Sequence, residues 1–190
     1  MRIVNLTKET TANILENMLK RSPNNYGAYE ARVAAILDEV KAKGDEAIFS
    51  YAKQFDHVEL TKETFCVSEE EIKEAYTLVG QDLIAVIKKA LVNIRDYHAN
   101  QKQTSWFNST PQGTMLGQKV TPMDTVGVYV PGGKAAYPSS VLMNIVPARV
   151  AGVDRIVMTT PCNAEGKVNP LVLVAANEAG ADEIYKTGGA

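Results

Sequence analysis

The sequence predicts an α/β protein in which an N-terminal helical region with a β-hairpin leads into a partial Rossmann-like parallel βαβαβ unit. Three observations carry that reading. Apolar residues recur at helical spacing through most of the first hundred positions. The composition then changes near residue 121: residues 121–190 hold 8 of the 13 glycines and 6 of the 8 prolines, but only 11 of the 42 charged side chains. Within that second part, apolar β-branched runs alternate with apolar helical segments that stop at glycine.

In chain order, Thr7 is placed to cap a helix reaching about Lys20, with Ile14, Leu15, Met18 and Leu19 on one side. The stretch Arg-Ser-Pro-Asn-Asn ends it, and residues 1–24 are a candidate arm for packing on a partner subunit. A second helix follows from about Tyr26 to Lys43, where Tyr29, Val33, Ile36, Leu37 and Val40 recur at spacings of three and four. Gly44 stops it, and Asp45 caps a shorter helix with Ile48, Tyr51, Ala52 and Phe55 inward. Ser68 and Glu71 have capping-box spacing before Ile72, Ala75 and Tyr76. Val-Gly-Gln-Asp interrupts before a long helix from about Asp82 to Gln101. The segment SWFNSTPQGTMLGQKV alternates apolar and polar residues around Pro111 and Gly113, the pattern of a β-hairpin.

From Thr125 the pattern is strand, loop, helix, strand, loop, helix, strand. TVGVYV and RIVMTT are nearly continuous apolar runs, as expected of strands covered on both faces, and EIYKT is the third strand. The helices between them run from about Ser139 to Ala151 and from about Pro170 to Ala179. Each meets a glycine, Gly152 or Gly180, where a left-handed residue closes a helix. Five alternating elements with short loops make a right-handed βαβαβ unit with a parallel sheet. Pro147 within the first of these helices removes the hydrogen bond to the Met143 carbonyl.

The bulk numbers exclude several classes. Twenty basic against 22 acidic side chains leave a net charge of −2, so no global field and no basic stripe favours nucleic acid. No apolar run approaches the length of a membrane span, and the N-terminus lacks the apolar core of a signal peptide. Cytoplasmic location is the default. Cys66 and Cys162 lie far apart, and His57 and His98 are the only histidines, so neither a disulfide framework nor a multi-ligand zinc site is expected within the chain.

The stretch of chemical interest is the loop PGGKAAYPSS. It follows the first parallel strand, at the carboxyl end where open α/β sheets bind ligands. Gly132 and Gly133 permit a tight turn and a close backbone approach to a ligand. The N–H groups of Gly133, Lys134 and the helix start near Ser140–Leu142 are candidates to face an anionic or polar group. Tyr129 is placed to flank a planar ring. On spacing alone the loop reads equally as a plain strand-to-helix turn, because it lacks the GxGxxG pattern.

The stretch VGVYVPGGKAAYPSSVLMNIVPARVAGV, followed by TTP and by GADEIYKTGGA, resembles histidinol dehydrogenase, and KAKGDEAIFSYAKQFD resembles that family's N-terminal region. The resemblance implies oxidation of L-histidinol to L-histidine through the aldehyde, using two NAD and a zinc ion. It implies two incomplete Rossmann-like domains in a homodimer, the larger interrupted in sequence by the other. Residues 25–120 would be the first part of the larger domain and 121–190 the first part of the inserted, NAD-binding one. Tyr129 and Pro131 match residues that line the cofactor, Gly132 and Gly133 shape the same loop, and Ser139 and Ser140 face the cleft on the substrate side. Lys134 carries no implied role.

The same resemblance places the family's zinc ligands and its Glu-His acid/base pair beyond this chain, together with a Gln that contacts NAD just past Ala190. No catalytic or metal-binding residue is therefore assigned, and the 190-residue chain is expected to be inactive by itself. The alternative reading is a non-catalytic nucleotide-binding or assembly module built on the same half-fold. An aldehyde-dehydrogenase-like protein would need a nucleophilic cysteine. Cys66 reads as buried strand and Cys162 as part of a turn, so neither suits that role.

Overall fold

A computed structural model describes residues 5, 7–11, 27–132 and 136–188. The chain forms two compact units, Met1–Ala47 and Ile48–Ala190. In the first, Thr7 opens a helical turn as expected. Its hydroxyl accepts from the Thr10 N–H at 3.1 Å, the Thr10 hydroxyl accepts from the Thr7 N–H at 2.7 Å, and the Thr11 N–H reaches the Thr7 carbonyl at 2.9 Å. Ile14, Leu15, Met18 and Leu19 lie outside the described residues.

Helix α1, Gly27–Lys43, matches the predicted span and gives way at Gly44, whose φ of 61° is left-handed. Of the residues at helical spacing, Tyr29, Val33 and Leu37 are exposed, while Ile36 and Val40 are half-buried. The spacing encodes an apolar face correctly but carries no information about what covers it. Helix α2, Asp45–Tyr51, runs into one π-helical turn, Ala52–Asp56, closed by His57 at φ 56°. The wider turn breaks the 3.6-residue register, so Phe55 is exposed and stacks on Tyr51 at 5.6 Å instead of pointing inward.

The second unit continues with α3 (Lys62–Phe65), α4 (Glu69–Leu78) and α5 (Gln81–Ala99). The Ser68–Glu71 capping box is formed in both directions, with the Glu71 N–H donating to Ser68 Oγ at 3.2 Å and the Ser68 N–H donating to Glu71 Oε2 at 3.0 Å. Cys66 is half-buried and forms a single antiparallel bridge to Tyr185 rather than a strand. The predicted hairpin is β1 (Trp106–Ser109) paired antiparallel with β2 (Met115–Gln118). Among the described residues no helix is long and apolar enough to cross a membrane.

The parallel sheet has the order β3-β4-β5, formed by Thr125–Tyr129, Arg155–Thr160 and Glu183–Lys186, with Tyr129 opposite Thr159 and Thr159 opposite Tyr185. Helices α6 (Pro138–Ala151) and α7 (Pro170–Ala179) connect the strands and pack on each other, with α5 against both and α4 against α7. Ile145, Val146, Ile156, Met158 and Val174 are essentially inaccessible and form the centre of this core. The expectation that β3 is covered on both faces fails: Val126 and Val128 pack on the core, while Thr125, Gly127 and Tyr129 are exposed. Gly152 and Gly180 close α6 and α7 at φ 95° and 90°, as read from the sequence. Arg149 then ties the two helix ends together. Its guanidinium donates to the carbonyls of Val153 (3.0 Å), Asp154 (2.7 Å) and Gly180 (2.6 Å) and to the Asp182 carboxylate, which also accepts the Ile156 N–H.

Candidate functional site

The three parallel strands end together, and two clefts open beside their carboxyl ends. The larger, about 540 Å³, lies among Gly132 and Ala136 of the β3–α6 loop, Thr160 and Cys162 after β4, and Glu71 and Glu74 of α4. This is within the size range of small-molecule sites and at the position expected for an open parallel sheet. The smaller, about 450 Å³, includes His57, Glu59 and Lys186. Glu71 and Lys167 line both.

Pro161 organises this end of the sheet. A Cβ on Gly132 would stand 2.5 Å from Pro161 Cγ, and one on Gly188 would stand 2.5 Å from Cδ and 2.8 Å from the backbone nitrogen. The loops leaving β3 and β5 therefore both press their backbones onto the proline that follows β4. Close approach of Pro161 explains why residue 132 is a glycine.

The predicted residues divide. Gly132 lines the larger cleft. Tyr129 lies on the sheet face turned away from Val128 and the core, 53% exposed, in one row with Thr159 and Tyr185. Pro131 is exposed on the way into the loop, and Ser139 and Ser140 start α6 without lining either cleft. Gly133 and Lys134 lie outside the described residues. At the helix start, the Ser140 and Val141 N–H groups both donate to the Tyr137 carbonyl, at 3.0 and 3.3 Å, so they are not aimed at an anion as expected. Pro138 has no N–H to offer, which leaves Ser139 as the one early donor of the turn.

The charged groups of the clefts were not singled out by sequence. Lys186 is 6% exposed and pairs with Glu71 Oε1 at 2.8 Å, while the other Glu71 oxygen holds the Ser68 N–H. Lys167 pairs with Glu74 at 2.6 Å near the rim. The capping-box pattern gives Glu71 a local role, but no sequence signal announces that Lys186, 115 positions later, completes it. Beside them, burial, with a smaller contribution from the Asp56 carboxylate, pushes the Cys162 thiol up from its ordinary range. That is the opposite of an activated nucleophile and agrees with setting aside a cysteine mechanism. The Tyr185 hydroxyl donates to Glu183 at 2.6 Å; this bond, then burial, pushes its pKa up to about 12.

His57 lines the smaller cleft, and His98 meets Gln101 at 2.6 Å near the end of α5. Among the described residues no group of three or more His, Cys, Asp or Glu side chains is arranged to hold a metal. The residues at hand thus do not fit a zinc centre. They present an exposed ring at Tyr129, an exposed Pro131, and an open cleft beside Gly132.

A profile of the histidinol dehydrogenase family matches residues 19–190. The chain is 54% identical over 174 residues to the histidinol dehydrogenase of Bacillus subtilis, a match covering 90% of this chain and 40% of that protein. It is 43% identical over all 190 residues to that of Caldanaerobacter subterraneus, covering 44% of the relative. The crystal structure of histidinol dehydrogenase from Elizabethkingia anophelis superposes with a TM-score of 0.78 at 36% identity, over 84% of this chain and 36% of that one. The chain spans about two fifths of the length of the curated relatives it matches. It belongs to the histidinol dehydrogenase family.

Proposed function

From that membership we propose that the chain supplies the nucleotide-binding side of an NAD-dependent histidinol dehydrogenase, a cytoplasmic homodimeric enzyme of histidine biosynthesis that oxidises L-histidinol to L-histidine. The observation that carries the proposal is the Tyr-Val-Pro-Gly-Gly segment at the carboxyl end of β3, beside an open cleft, within a family match that extends over residues 19–190. Residues 25–120 then belong to the larger domain, 121–190 to the inserted cofactor domain, and 1–24 to an arm.

NAD, when bound, supplies the hydride acceptor. In this reading the chain's own residues position it. The exposed Tyr129 ring gives a planar group a flat apolar surface. Pro131 fixes the exit from β3, and Gly132, pinned on Pro161, holds the loop at a constant height above the sheet. Ser139 and Ser140, at the start of α6, are proposed to face the substrate. No proton transfer is assigned to any residue here, and zinc has no place among the described residues, so the chain by itself is proposed not to turn over histidinol.

NAD titration followed by saturation-transfer NMR tests the positioning role. Binding that weakens in Tyr129→Ala is expected; equal binding by the variant refutes it, and no binding at millimolar NAD leaves the assembly-module reading in its place. NADH formation from L-histidinol with added zinc is expected to be nil, and a rate comparable to a full-length relative refutes the claim of inactivity.

A further inference from the structure

The carboxylates that line the two clefts are neutralised, with one exception. Glu71 is held by Lys186 at 2.8 Å, Glu74 by Lys167 at 2.6 Å and Glu59 by Lys53 at 2.6 Å. Glu165 lines both clefts and pairs with no cation among the described residues. Its charge reaches Lys167, but that ammonium is held chiefly by Glu74. Both lining lysines are thus committed to other carboxylates, and Glu165 supplies the unbalanced charge of the clefts.

The β4–α7 loop holds this residue in place. Asn163 Oδ1 accepts the Glu165 and Lys167 N–H groups at 3.1 and 2.8 Å, and the Gly166 N–H donates to the Asn163 carbonyl at 2.9 Å. The carboxylate itself takes no part in those bonds, and the residue is exposed. The loop leaves the strand next to β3 on the carboxyl side of the sheet. There, open parallel sheets that bind dinucleotides place a carboxylate on the ribose 2′-hydroxyl. A carboxylate accepts from that hydroxyl and repels a phosphate standing in its place. A diphosphate finds no uncommitted ammonium among the described lining residues, so the uncharged ribose is the part of a dinucleotide that this stretch suits.

We propose that Glu165 sets the cofactor preference of the chain, accepting from a ribose 2′-hydroxyl and repelling a 2′-phosphate, so that NAD is bound in preference to NADP. The inference rests on the reading of the chain as a nucleotide binder and adds to it the residue that discriminates.

Saturation-transfer NMR titrations with NAD and with NADP test it, on the chain and on Glu165→Gln and Glu165→Asp. In water, a carboxylate about 6 Å from a phosphate dianion weakens binding roughly tenfold. NAD is therefore expected to bind about tenfold more tightly than NADP at low ionic strength, and the ratio to shrink as salt is added. Glu165→Gln is expected to bring the two affinities within about twofold of each other, mainly by tightening NADP, with the thermal melt unchanged. Glu165→Asp keeps the charge and is expected to keep the preference; a ratio lost in both variants points to loop packing and overturns the proposal. NADP binding as tight as NAD binding in the unaltered chain, or a ratio indifferent to Glu165→Gln, overturns it while leaving the nucleotide reading intact. Binding of neither dinucleotide at millimolar concentration removes that reading, and the proposal with it.

Discussion

Gly132→Ala tests whether the loop after β3 is held by Pro161. The added Cβ would lie 2.5 Å from Cγ and 3.2 Å from Cδ of that proline, where ordinary van der Waals contact is 3.4–4 Å. A ring carbon cannot rotate away as a flexible side chain can, so backbone or ring must shift. Overpacking of this size costs about 1–3 kcal/mol, which for a chain of this length lowers the melting temperature by about 2–4 °C per kcal/mol. Pro161→Ala removes Cγ and Cδ, so it relieves the clash while itself costing about 0.4–1 kcal/mol through the freer unfolded chain. The two changes should therefore couple favourably, by about 1 kcal/mol or more in a double-mutant cycle. Gly188→Ala separates this account from general fragility. Its Cβ would meet Cδ of residue 161 at 2.5 Å, which Pro161→Ala removes, but also its Cβ and backbone nitrogen, each at 2.8 Å, which both survive. Urea unfolding followed by circular dichroism should show fuller rescue by Pro161→Ala of Gly132→Ala than of Gly188→Ala. A harmless Gly132→Ala, or equal rescue of both glycine variants, refutes the argument.

Arg149→Met keeps the apolar stem and removes donors to three carbonyls; since water reaches part of this cluster, the loss is expected to be about 2–3 kcal/mol in urea unfolding. Lys186→Met leaves Glu71 without its cation and is expected to cost about 3 kcal/mol, with more than half restored by adding Glu71→Gln, which keeps the capping bond to Ser68. At low pH, Glu183 is held below its ordinary range by the Tyr185 hydroxyl and then Arg155. Asp182 is also lowered: burial raises it, but the Ile156 N–H and Arg149 outweigh that effect. Both carboxyls bind fewer protons folded than unfolded, so their contribution is full above the unfolded carboxylate pKa of about 4 and fades as pH falls. Denaturation midpoints at pH 7 and below 4 should differ less in Asp182→Asn than in wild type. At high pH the sign reverses for Tyr185. Its pKa of about 12 in the fold, against 10.0 ordinarily, means stability lost as pH rises from 10 towards 12, and Tyr185→Phe should flatten that limb.

Periodicity was a sound guide wherever local chemistry decides the outcome. The Ser68–Glu71 box, the hairpin and the glycine ends of α6 and α7 all follow from interactions between residues near in sequence, and all are present. It failed where cover or register depends on distant groups. Tyr29, Val33 and Leu37 have helical spacing, yet exposure depends on neighbours that spacing cannot name. One π-helical turn was enough to rotate Phe55 outward, and no sequence signal marks that turn. At the candidate site, the loop and its cleft were legible because a strand-to-helix junction fixes their place in a parallel sheet. The Glu71–Lys186 pair was not, because it joins α4 to β5 across the whole intervening fold.

The same division changes what the family's signature residues mean in this portion of the chain. Gly132 is needed because Pro161 occupies the space beside it, and Gly188 because the same proline lies against the next strand exit. Arg149, the end of the Pro-Ala-Arg segment, is consumed by carbonyls and by Asp182 at the opposite end of the helix from the cleft. These residues build a rigid sheet end. Tyr129 differs. It is a large aromatic side chain on the edge strand of a sheet face that is covered only farther along, where Tyr185 packs against Phe65, with neighbouring Gly127 offering no side chain and meeting nothing within 4 Å at its Cβ position. Packing within the described residues gives no reason for an aromatic there, whereas it fully accounts for the glycines and the arginine. On the proposed reading the functional weight of the segment falls on the phenol ring at 129, with Pro131 and Gly132 as its support, and variants of the two should fail differently: Gly132→Ala by loss of stability, Tyr129→Ala by loss of binding with the melt unchanged.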